Sequence, residues 1–155
     1  MIRPWRPTDR PFVADTWLAS FKQSHWKGLI RDSSYREVYG SIVDEILDSP
    51  GVRVVVDCNP DDEDQIFGWA CVRDSKPLPT LHYLYVKHPY RDTKQGKEQP
   101  RIALKLLKHL AMDSGQAFRF TFRTPQWDAL RTRWRLNAKY APELVTKDRH
   151  EEKAA

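Results

Sequence analysis

Cysteine is scarce in this sequence, and its placement does not suggest a disulfide or a metal site. The 155 residues include two cysteines, Cys58 and Cys71, which are too few for the disulfide framework of a small secreted protein. They lie on neighbouring predicted strands, in a register that does not place them opposite each other. Two buried thiols in a reducing compartment are therefore expected, and no Cys/His spacing resembles a zinc site.

Long hydrophobic runs are absent as well. No stretch approaches the roughly 18 apolar residues of a membrane-spanning helix, and the opening residues, MIRPWRPTDRP, lack the apolar segment of a secretory signal. We therefore expect a cytoplasmic protein. The composition, 40% hydrophobic and 30% charged, fits one globular domain, which we place at residues 1–146 with a solvated tail at 147–155.

Acidic charge is scarce in the second half of the chain. Residues 1–86 hold 10 Lys/Arg and 13 Asp/Glu, a balance of −3, whereas residues 87–155 hold 16 and 8, a balance of +8. A basic field of this kind favours an anionic partner, such as nucleic acid, a phosphorylated cofactor or an acidic protein. A solvated basic surface explains the charge equally well.

The pattern of apolar residues predicts one α/β domain built on a mixed sheet. Strand patterns occupy residues 2–5, 52–58, 65–74, 80–87, 117–123 and 139–145. Helical patterns occupy residues 11–22, the segment from Ser33 or Ser34 to Pro50, the segment from Arg101 to Ser114, and residues 125–137. The predicted order is β-α-α-β-β-β-α-β-α-β, without repeats or a linker.

Four short segments resemble the GNAT family of acyl-CoA-dependent N-acyltransferases. They are IRPWRPTDRPFV at the start, IFGWACV on the third strand, LHYLYVKHPYR at the end of the fourth strand, and IALKLLKHL on the next helix. With the element order, the resemblance covers about residues 2–145. It implies a GNAT-like mixed central sheet whose fourth and fifth strands splay apart, and acetyl-CoA or another acyl-CoA as the cofactor.

The resemblance breaks at the loop that would bind the cofactor diphosphate. The family motif is Arg/Gln-x-x-Gly-x-Gly/Ala, in which backbone N–H groups at a helix start face the diphosphate. Arg91 matches its first position and Ala103 its last, but eleven residues separate them instead of four. Gly96 is the one glycine in this interval. Position 101, directly before Ile102, is an arginine in this chain, whereas the family has glycine there.

Three interpretations of this loop follow. In the first, cationic side chains replace the missing glycine-supported amides, and the residues that the resemblance implies for CoA binding are Tyr85, Val86, Lys87, Arg91, Gly96, Arg101 and Ala103. In the second, cofactor binding is lost and the fold is a catalytically degenerate module that binds a protein partner. In the third, the loop binds DNA or RNA. Phage Mom-type DNA-adenine modification enzymes also resemble this fold, and the chain has a phage or bacterial character.

The chemistry of acyl transfer suggests candidate catalytic groups. Transfer to an amine needs a polarised thioester carbonyl, a neutral amine and a proton for the leaving thiolate. The resemblance places the polarising amides near Leu84, Tyr85 and Val86, the base at His82, and the acid at Tyr140, which comes later than the family position. A packed histidine and a tyrosine with a solvated hydroxyl are the structural alternatives.

The loop between the first two helices would shape the acceptor site in this family. His25 and Trp26 lie there, and they either face the acceptor or cover the core. The favoured function is transfer of an acetyl or other acyl group from acyl-CoA to the amine of a small molecule or protein. Nucleic acid is the alternative substrate or partner, through the basic C-terminal half.

Overall fold

The computed structural model describes residues 1–22, 31–91 and 101–145 of the chain. Its helices are α1 (Arg10–Phe21), α2 (Asp32–Asp48), α3 (Ile102–His109) and α4 (Pro125–Arg133). Its strands are β1 (Ile2–Pro4), β2 (Val52–Asn59), β3 (Asp62–Arg73), β4 (Thr80–Val86), β5 (Phe118–Phe120) and β6 (Ala138–Tyr140). Single turns of 3₁₀ helix precede α1 and follow β4.

All six strands form one mixed sheet in the order β1-β2-β3-β4-β5-β6. Strands β1 to β4 pair antiparallel with one another, whereas the β4–β5 and β5–β6 pairs are parallel. Parallel neighbours need a crossover connection, which α3 and α4 supply. This arrangement confirms the α/β class and the mixed sheet predicted from the sequence.

Aromatic side chains attach α1 and α2 to one face of the sheet. Trp17 of α1 lies against Trp69 of β3 and Tyr83 of β4, with ring centroids 5.5 and 5.1 Å away. Tyr39 of α2 stacks on Phe21 at the end of α1, at 4.8 Å. These rings are large apolar surfaces, and their burial is a main source of the stability of this layer.

Helix α3 covers the opposite face. Neighbouring residues on a strand point to opposite faces, so Gly68, beside Trp69, faces away from α1 and lies against Ile102 of α3. Lys105 of α3 forms a salt bridge of 2.9 Å with the buried Asp57 of β2, on the same face. The strongly amphipathic pattern of α3 buries Ile102, Leu106 and Leu107 against the sheet.

Several element boundaries differ from the predicted ones. Strand β5 ends at Phe120, because the chain then leaves β4, although the alternating pattern continues to residue 123. Helix α2 begins at Asp32 with Arg31 as its N-cap, so Ser33 and Ser34, the predicted starting positions, lie inside its first turn. Helix α4 ends at Arg133, shortly before a residue with positive φ.

Cys58 and Cys71 are buried free thiols on neighbouring strands, as predicted. They are not opposite each other, since Cys58 pairs with Ile66 and Cys71 with Val54. Within the three described ranges, no helix combines the length and the apolarity that a membrane span requires. The predicted tail at 147–155 lies outside the described residues.

Candidate functional site

Strand β4 is paired along its whole length on one edge but only at its start on the other. Six residue pairs join it to β3, from Thr80 to Val86, whereas β5 pairs with Thr80 and Leu81. One more backbone bond, from the Thr121 N–H to the Leu81 carbonyl at 3.2 Å, ends this ladder. Past that bond the two chains separate, as the predicted splay required. We call the gap beside residues 82–86 the split.

A β-bulge lies where the two strands begin to separate. Tyr83 pairs with Cys71 and Leu81 pairs with Val72, so His82 is an extra residue on β4. A bulge bends its strand and increases the local twist. This gives a physical reason for β4 to turn away from β5 at this point, and it places the inner end of the split at His82.

The open edge of β4 presents backbone groups to the split. The Lys87 N–H donates to the Phe67 carbonyl of β3 at 2.8 Å. Alternate residues of an antiparallel strand bond to the same neighbour, so the Tyr85 amide also belongs to the β3 ladder. The amides of Leu84 and Val86 therefore point towards the split. Of the three positions predicted to supply polarising amides, the geometry favours these two.

The start of α3 lies directly against this end of β4, and Gly68 makes that possible. A Cβ on Gly68 would lie 2.7 Å from the Tyr85 carbonyl oxygen and 2.8 Å from Cγ2 of Ile102, too close in both cases. The first amides of a helix have no partner within the helix and carry partial positive charge. The helix start is close to Val86, the strand partner of Gly68, because the Val86 Cα would lie 3.4 Å from the same Cβ that meets Ile102.

Arg91 joins the end of β4 from the loop that follows it. Its Nε donates to the Val86 carbonyl at 2.9 Å, and its guanidinium lies 5.9 Å from the centroid of the Tyr85 ring. The same geometry confirms that the Val86 backbone faces away from β3. The structure thus brings together Tyr85, Val86 and Arg91, three of the residues predicted to contact the cofactor.

The other predicted cofactor residues divide into three groups. Arg101 is exposed and is the N-cap of α3, and Ala103 is half-buried in its first turn, so both lie at the helix start. Lys87 is exposed at the end of β4. Gly96 lies outside the described residues, as do the predicted acceptor residues His25 and Trp26.

His82 is buried inside the protein, with 3% of its surface exposed. Its Nδ1 lies 3.1 Å from the hydroxyl oxygen of Thr121, across the inner end of the split. Burial, together with the charge of nearby Arg73, lowers the pKa of His82 to about 4. The imidazole is therefore neutral at pH 7, and its basicity is weaker than that of an exposed histidine.

Tyr140 is on β6, the edge strand on the far side of β5 from β4. Its ring stacks on Phe120 at 5.3 Å, and the guanidinium of Arg123 lies 5.7 Å from its centroid. Tyr140 is 48% exposed, so its hydroxyl is available to solvent. One strand thus separates this candidate acid from the open edge of β4.

Phe122 and Thr121 form the side of the split opposite β4, and sequence reasoning did not single them out. Phe122 is 4% exposed, and its ring lies 4.9 Å from Tyr83 and 5.3 Å from Trp127. The alternating segment FRFTF predicts one continuous strand, so it carries no signal for where that strand leaves β4. Gly68, in contrast, could have been singled out from the sequence, because a glycine inside a strand pattern indicates a close approach of another segment.

The arrangement suits an extended anionic ligand. Outward-facing amides, a helix start and the cations Arg91, Lys87 and Arg101 lie at one end of an open strand edge. Such groups bind phosphates and carbonyl oxygens. In the described part of the chain, no group of His, Cys, Asp and Glu could hold a metal ion.

Comparison by sequence finds no match: no protein-family model and no curated protein matches this chain significantly. Comparison by structure does find similar proteins. YycN of Bacillus subtilis, assigned as an acetyltransferase, superposes with a TM-score of 0.62 at 13% identity, over 87% of this chain and 88% of its own. This likeness confirms the predicted GNAT-type fold and, at this identity, says nothing further.

Two other solved structures are less similar. An acetyltransferase from Vibrio fischeri has a TM-score of 0.45 at 19% identity, over 74% of this chain and 85% of its own. An aminoglycoside 6'-N-acetyltransferase complexed with coenzyme A has a TM-score of 0.43 at 21% identity, over 71% of this chain. The present chain spans about half of that enzyme, 52%.

Proposed function

We propose that the protein is an acyl-CoA-dependent N-acyltransferase whose cofactor lies in the split, along the open edge of β4. The observation that carries this proposal is the outward direction of the Leu84 and Val86 amides beside the start of α3. An amide-rich chain that ends in a diphosphate complements such an edge, because its carbonyl groups accept from the strand and its phosphates accept from the helix. The fold shared with YycN is compatible with this function.

We call the outer end of the split, beside Val86 and the start of α3, the mouth. Each group there has a separate part in binding. The start of α3 and the cations Arg91 and Arg101 hold the diphosphate, where positive side chains compensate for the glycines absent from the loop. Arg91 is also held in place by the Val86 carbonyl, so little of its conformational freedom remains to be lost on binding. Gly68 keeps the helix start close enough to β4 for both to contact one ligand.

The bound cofactor would supply an activated thioester. In the overall reaction the acceptor nitrogen bonds to the thioester carbon, the C–S bond breaks, the amine loses a proton and the thiolate gains one. The Leu84 amide, one residue beyond Tyr83 on the open edge, is the donor we assign to the carbonyl oxygen. The sequence analysis suggested His82 as the base and Tyr140 as the acid, and these two roles remain predictions.

Single substitutions separate these two candidates. Tyr140→Phe removes a hydroxyl that is exposed, so a lower kcat at unchanged folding would assign it a role in proton transfer. His82→Gln removes a buried imidazole, so its kcat has to be read beside its thermal stability. If both variants keep the kcat of the wild type, neither side chain transfers a proton, and solvent or another residue does.

Calorimetry with acetyl-CoA and with CoA tests the proposal directly. We expect micromolar binding of both ligands, and Arg91→Glu should weaken it by about tenfold, since a charge-assisted contact becomes a repulsive one. Lys108→Glu is the matched control. It makes the same charge change at the other end of α3, where Lys108 is exposed, and should leave affinity almost unchanged.

The binding-module alternative predicts a different outcome. A degenerate fold would bind neither acetyl-CoA nor CoA at high micromolar ligand, and that result would contradict our proposal. If a DNA or RNA oligonucleotide then bound with a steep dependence on salt, nucleic acid would be the partner. Binding of acetyl-CoA with weak, salt-insensitive nucleic-acid affinity supports the acyltransferase.

A further inference from the structure

Phe122 occupies an unusual position between the two faces of the sheet. Its ring contacts Tyr83, whose own neighbours Trp17 and Trp69 belong to the α1 face. On its other side it contacts Trp127 of α4, at 5.3 Å. A side chain can join aromatic groups on both faces only where no strand pairing lies between them.

The second face can be assigned from strand register. Val72 lies on the same face as Gly68, because four positions along β3 separate them, and that face carries α3. Leu81 pairs with Val72, and Phe120 pairs in parallel with Leu81, so Phe120 also points to the α3 face. Phe120 contacts Trp127 at 5.5 Å, which places α4 there.

The ring of Phe122 therefore fills the inner end of the split. It follows Thr121 directly, whose hydroxyl meets His82 at 3.1 Å. With 4% exposure, Phe122 leaves little of its own surface open to solvent. The Tyr83 ring that it meets is held from behind, because the Tyr83 hydroxyl hydrogen-bonds Ser20 of α1 at 2.7 Å. The inner end is thus closed by two buried rings and one hydrogen bond.

This closure would limit the space for the acyl group, because an acyl-CoA bound in the split would point its acyl end inward, towards Phe122. The helix start and the cations lie at the mouth, beside Val86, so the phosphate end of an acyl-CoA belongs there. The opposite end of the ligand then points inward along β4. Leu84 lies two residues from His82, a distance of about 7 Å in an extended strand.

We infer that Phe122 determines acyl-chain length, and that the protein accepts short acyl groups such as acetyl and rejects medium-length ones such as octanoyl. This inference rests on the proposed function. The physical reason is that a longer chain has to displace a buried ring that is packed between Tyr83 and Trp127. Tyr83 cannot give way easily, since both its face and its hydroxyl have partners in α1.

The test compares affinities for CoA, acetyl-CoA, butyryl-CoA and octanoyl-CoA by calorimetry, in the full-length protein. In the wild type we expect octanoyl-CoA to bind at least about tenfold more weakly than acetyl-CoA, the scale at which apolar pockets discriminate chain length. Phe122→Leu should remove most of this difference, and Phe122→Ala should reverse it. The leucine variant keeps the test valid if the alanine variant fails to fold.

Phe118→Leu is the matched control. Phe118 is as buried as Phe122, at 1% exposed, and also contacts Trp127, at 6.3 Å, but it lies in the paired part of β5. It should keep the wild-type preference for acetyl-CoA. A similar shift in both leucine variants would mean that general loosening, and not the position of Phe122, changes the preference, and would overturn the inference.

The remaining outcomes separate the two proposals. Equal affinity of the wild type for acetyl-CoA and octanoyl-CoA overturns the chain-length inference and leaves the acyltransferase function standing. Absence of binding for all four ligands contradicts the proposed function and the inference with it. A preference for acetyl-CoA that Phe122→Leu does not change assigns selectivity to another residue and also overturns the inference.

Discussion

The two edges of β4 differ in what they leave unpaired. Towards β3, six residue pairs join the strands and Gly68 lets α3 approach closely. Towards β5, the ladder consists of two residue pairs and the bond from the Thr121 N–H to the Leu81 carbonyl, and the following amides face a gap. One strand thus has an edge that stabilises the fold and an edge at which we propose that a ligand binds.

The difference shows how a small protein can expose backbone groups without losing its fold. Unpaired N–H groups in a buried site are costly, and a complete β4–β5 ladder would remove them and the site together. Here the bulge at His82 ends the ladder, and the aromatic layer on α1 fixes β4 from one face. Substitutions on the two sides should therefore separate stability from ligand affinity.

The largest stability effect is expected on the antiparallel side, at the buried pair of Arg3 and Asp9. The two side chains are 2.8 Å apart and are 8% and 5% exposed. Asp9→Ala leaves a buried guanidinium without its carboxylate partner and should lower the free energy of unfolding by about 3–5 kcal/mol. Urea denaturation measures the change.

Asp48→Ala is the control for that change, because Asp48 forms an exposed ion pair with Arg10 and is itself 65% exposed. It should cost less than about 1 kcal/mol. Acetyl-CoA affinity of the folded Asp9→Ala protein should match the wild type. A large loss of affinity would show that the two edges of the sheet are coupled.

The next effect is a dependence of stability on pH, at the inner end of the split. The pKa of His82 is about 4 in the folded protein and about 6.5 in an unfolded chain, so the unfolded state binds the proton more readily between these values. The contribution of His82 to the free energy of unfolding is therefore fully present above pH 6.5. It is lost as the pH falls to 4, and the loss amounts to about 3 kcal/mol at most.

Unfolding curves from pH 4 to pH 7.5 measure this loss. His82→Gln should flatten the dependence over that window, whereas His88→Gln, at an exposed position in the turn after β4, should keep it. If the wild-type curve has no slope below pH 6.5, the imidazole is not held neutral at the bulge. The environment described for the inner end of the split would then be incorrect.

An intermediate effect is expected at Gly68, where both sides of the comparison meet. Gly68→Ala places a Cβ 2.7 Å from the Tyr85 carbonyl and 2.8 Å from Ile102, so α3 has to shift. We expect a loss of about 2 kcal/mol in stability together with a loss of acetyl-CoA affinity, because the helix start leaves β4.

Gly40→Ala, in α2, provides the contrast, since its Cβ would have one neighbour, Leu18, at 3.9 Å. Alanine is the better helix former, so this variant should gain about 0.5–1 kcal/mol. Both variants are compared by thermal unfolding and calorimetry. Unchanged affinity in folded Gly68→Ala would mean that the start of α3 does not contribute to the ligand site.

The smallest stability effect is expected at the mouth of the split. Arg91 is half-buried, and its side chain donates a hydrogen bond to the Val86 carbonyl on the open edge of β4. Arg91→Glu should change the unfolding free energy by no more than about 0.5 kcal/mol, while it weakens acetyl-CoA binding. A stability loss comparable to that of Asp9→Ala would show that Arg91 is a structural residue of β4.

The sequence predicted most of the elements, because their patterns are local. The β-branched run at 52–58 and the apolar stripe of α3 each carry their own periodicity, and both elements form where expected. Boundaries that depend on a neighbour were predicted less well. The segment after Phe120 has a strand pattern, but an extended segment becomes a strand only where a partner pairs with it.

The candidate site divides in the same way. A short local signature at the end of the fourth strand predicted Tyr85, Val86 and Arg91 as site residues, and the structure brings them into contact. The position of Phe122 at the inner end of the split could not be predicted, because a phenylalanine in an alternating segment is typical of a core residue on a paired strand. Which Leu and Val amides face the split depends on the β3 register, which no property of β4 alone determines.

By itself, the sequence determined the order of the elements, the basic second half and the departure from the diphosphate motif between Arg91 and Ala103. The tertiary structure alone decided that His82 is an extra residue in the ladder, that the expected separation of β4 and β5 begins beyond Leu81, and that Phe122 closes the inner end. The physical reason is that side-chain periodicity acts over a few residues. The end of a strand pairing, in contrast, is set by contacts between segments about forty positions apart, such as His82 with Thr121.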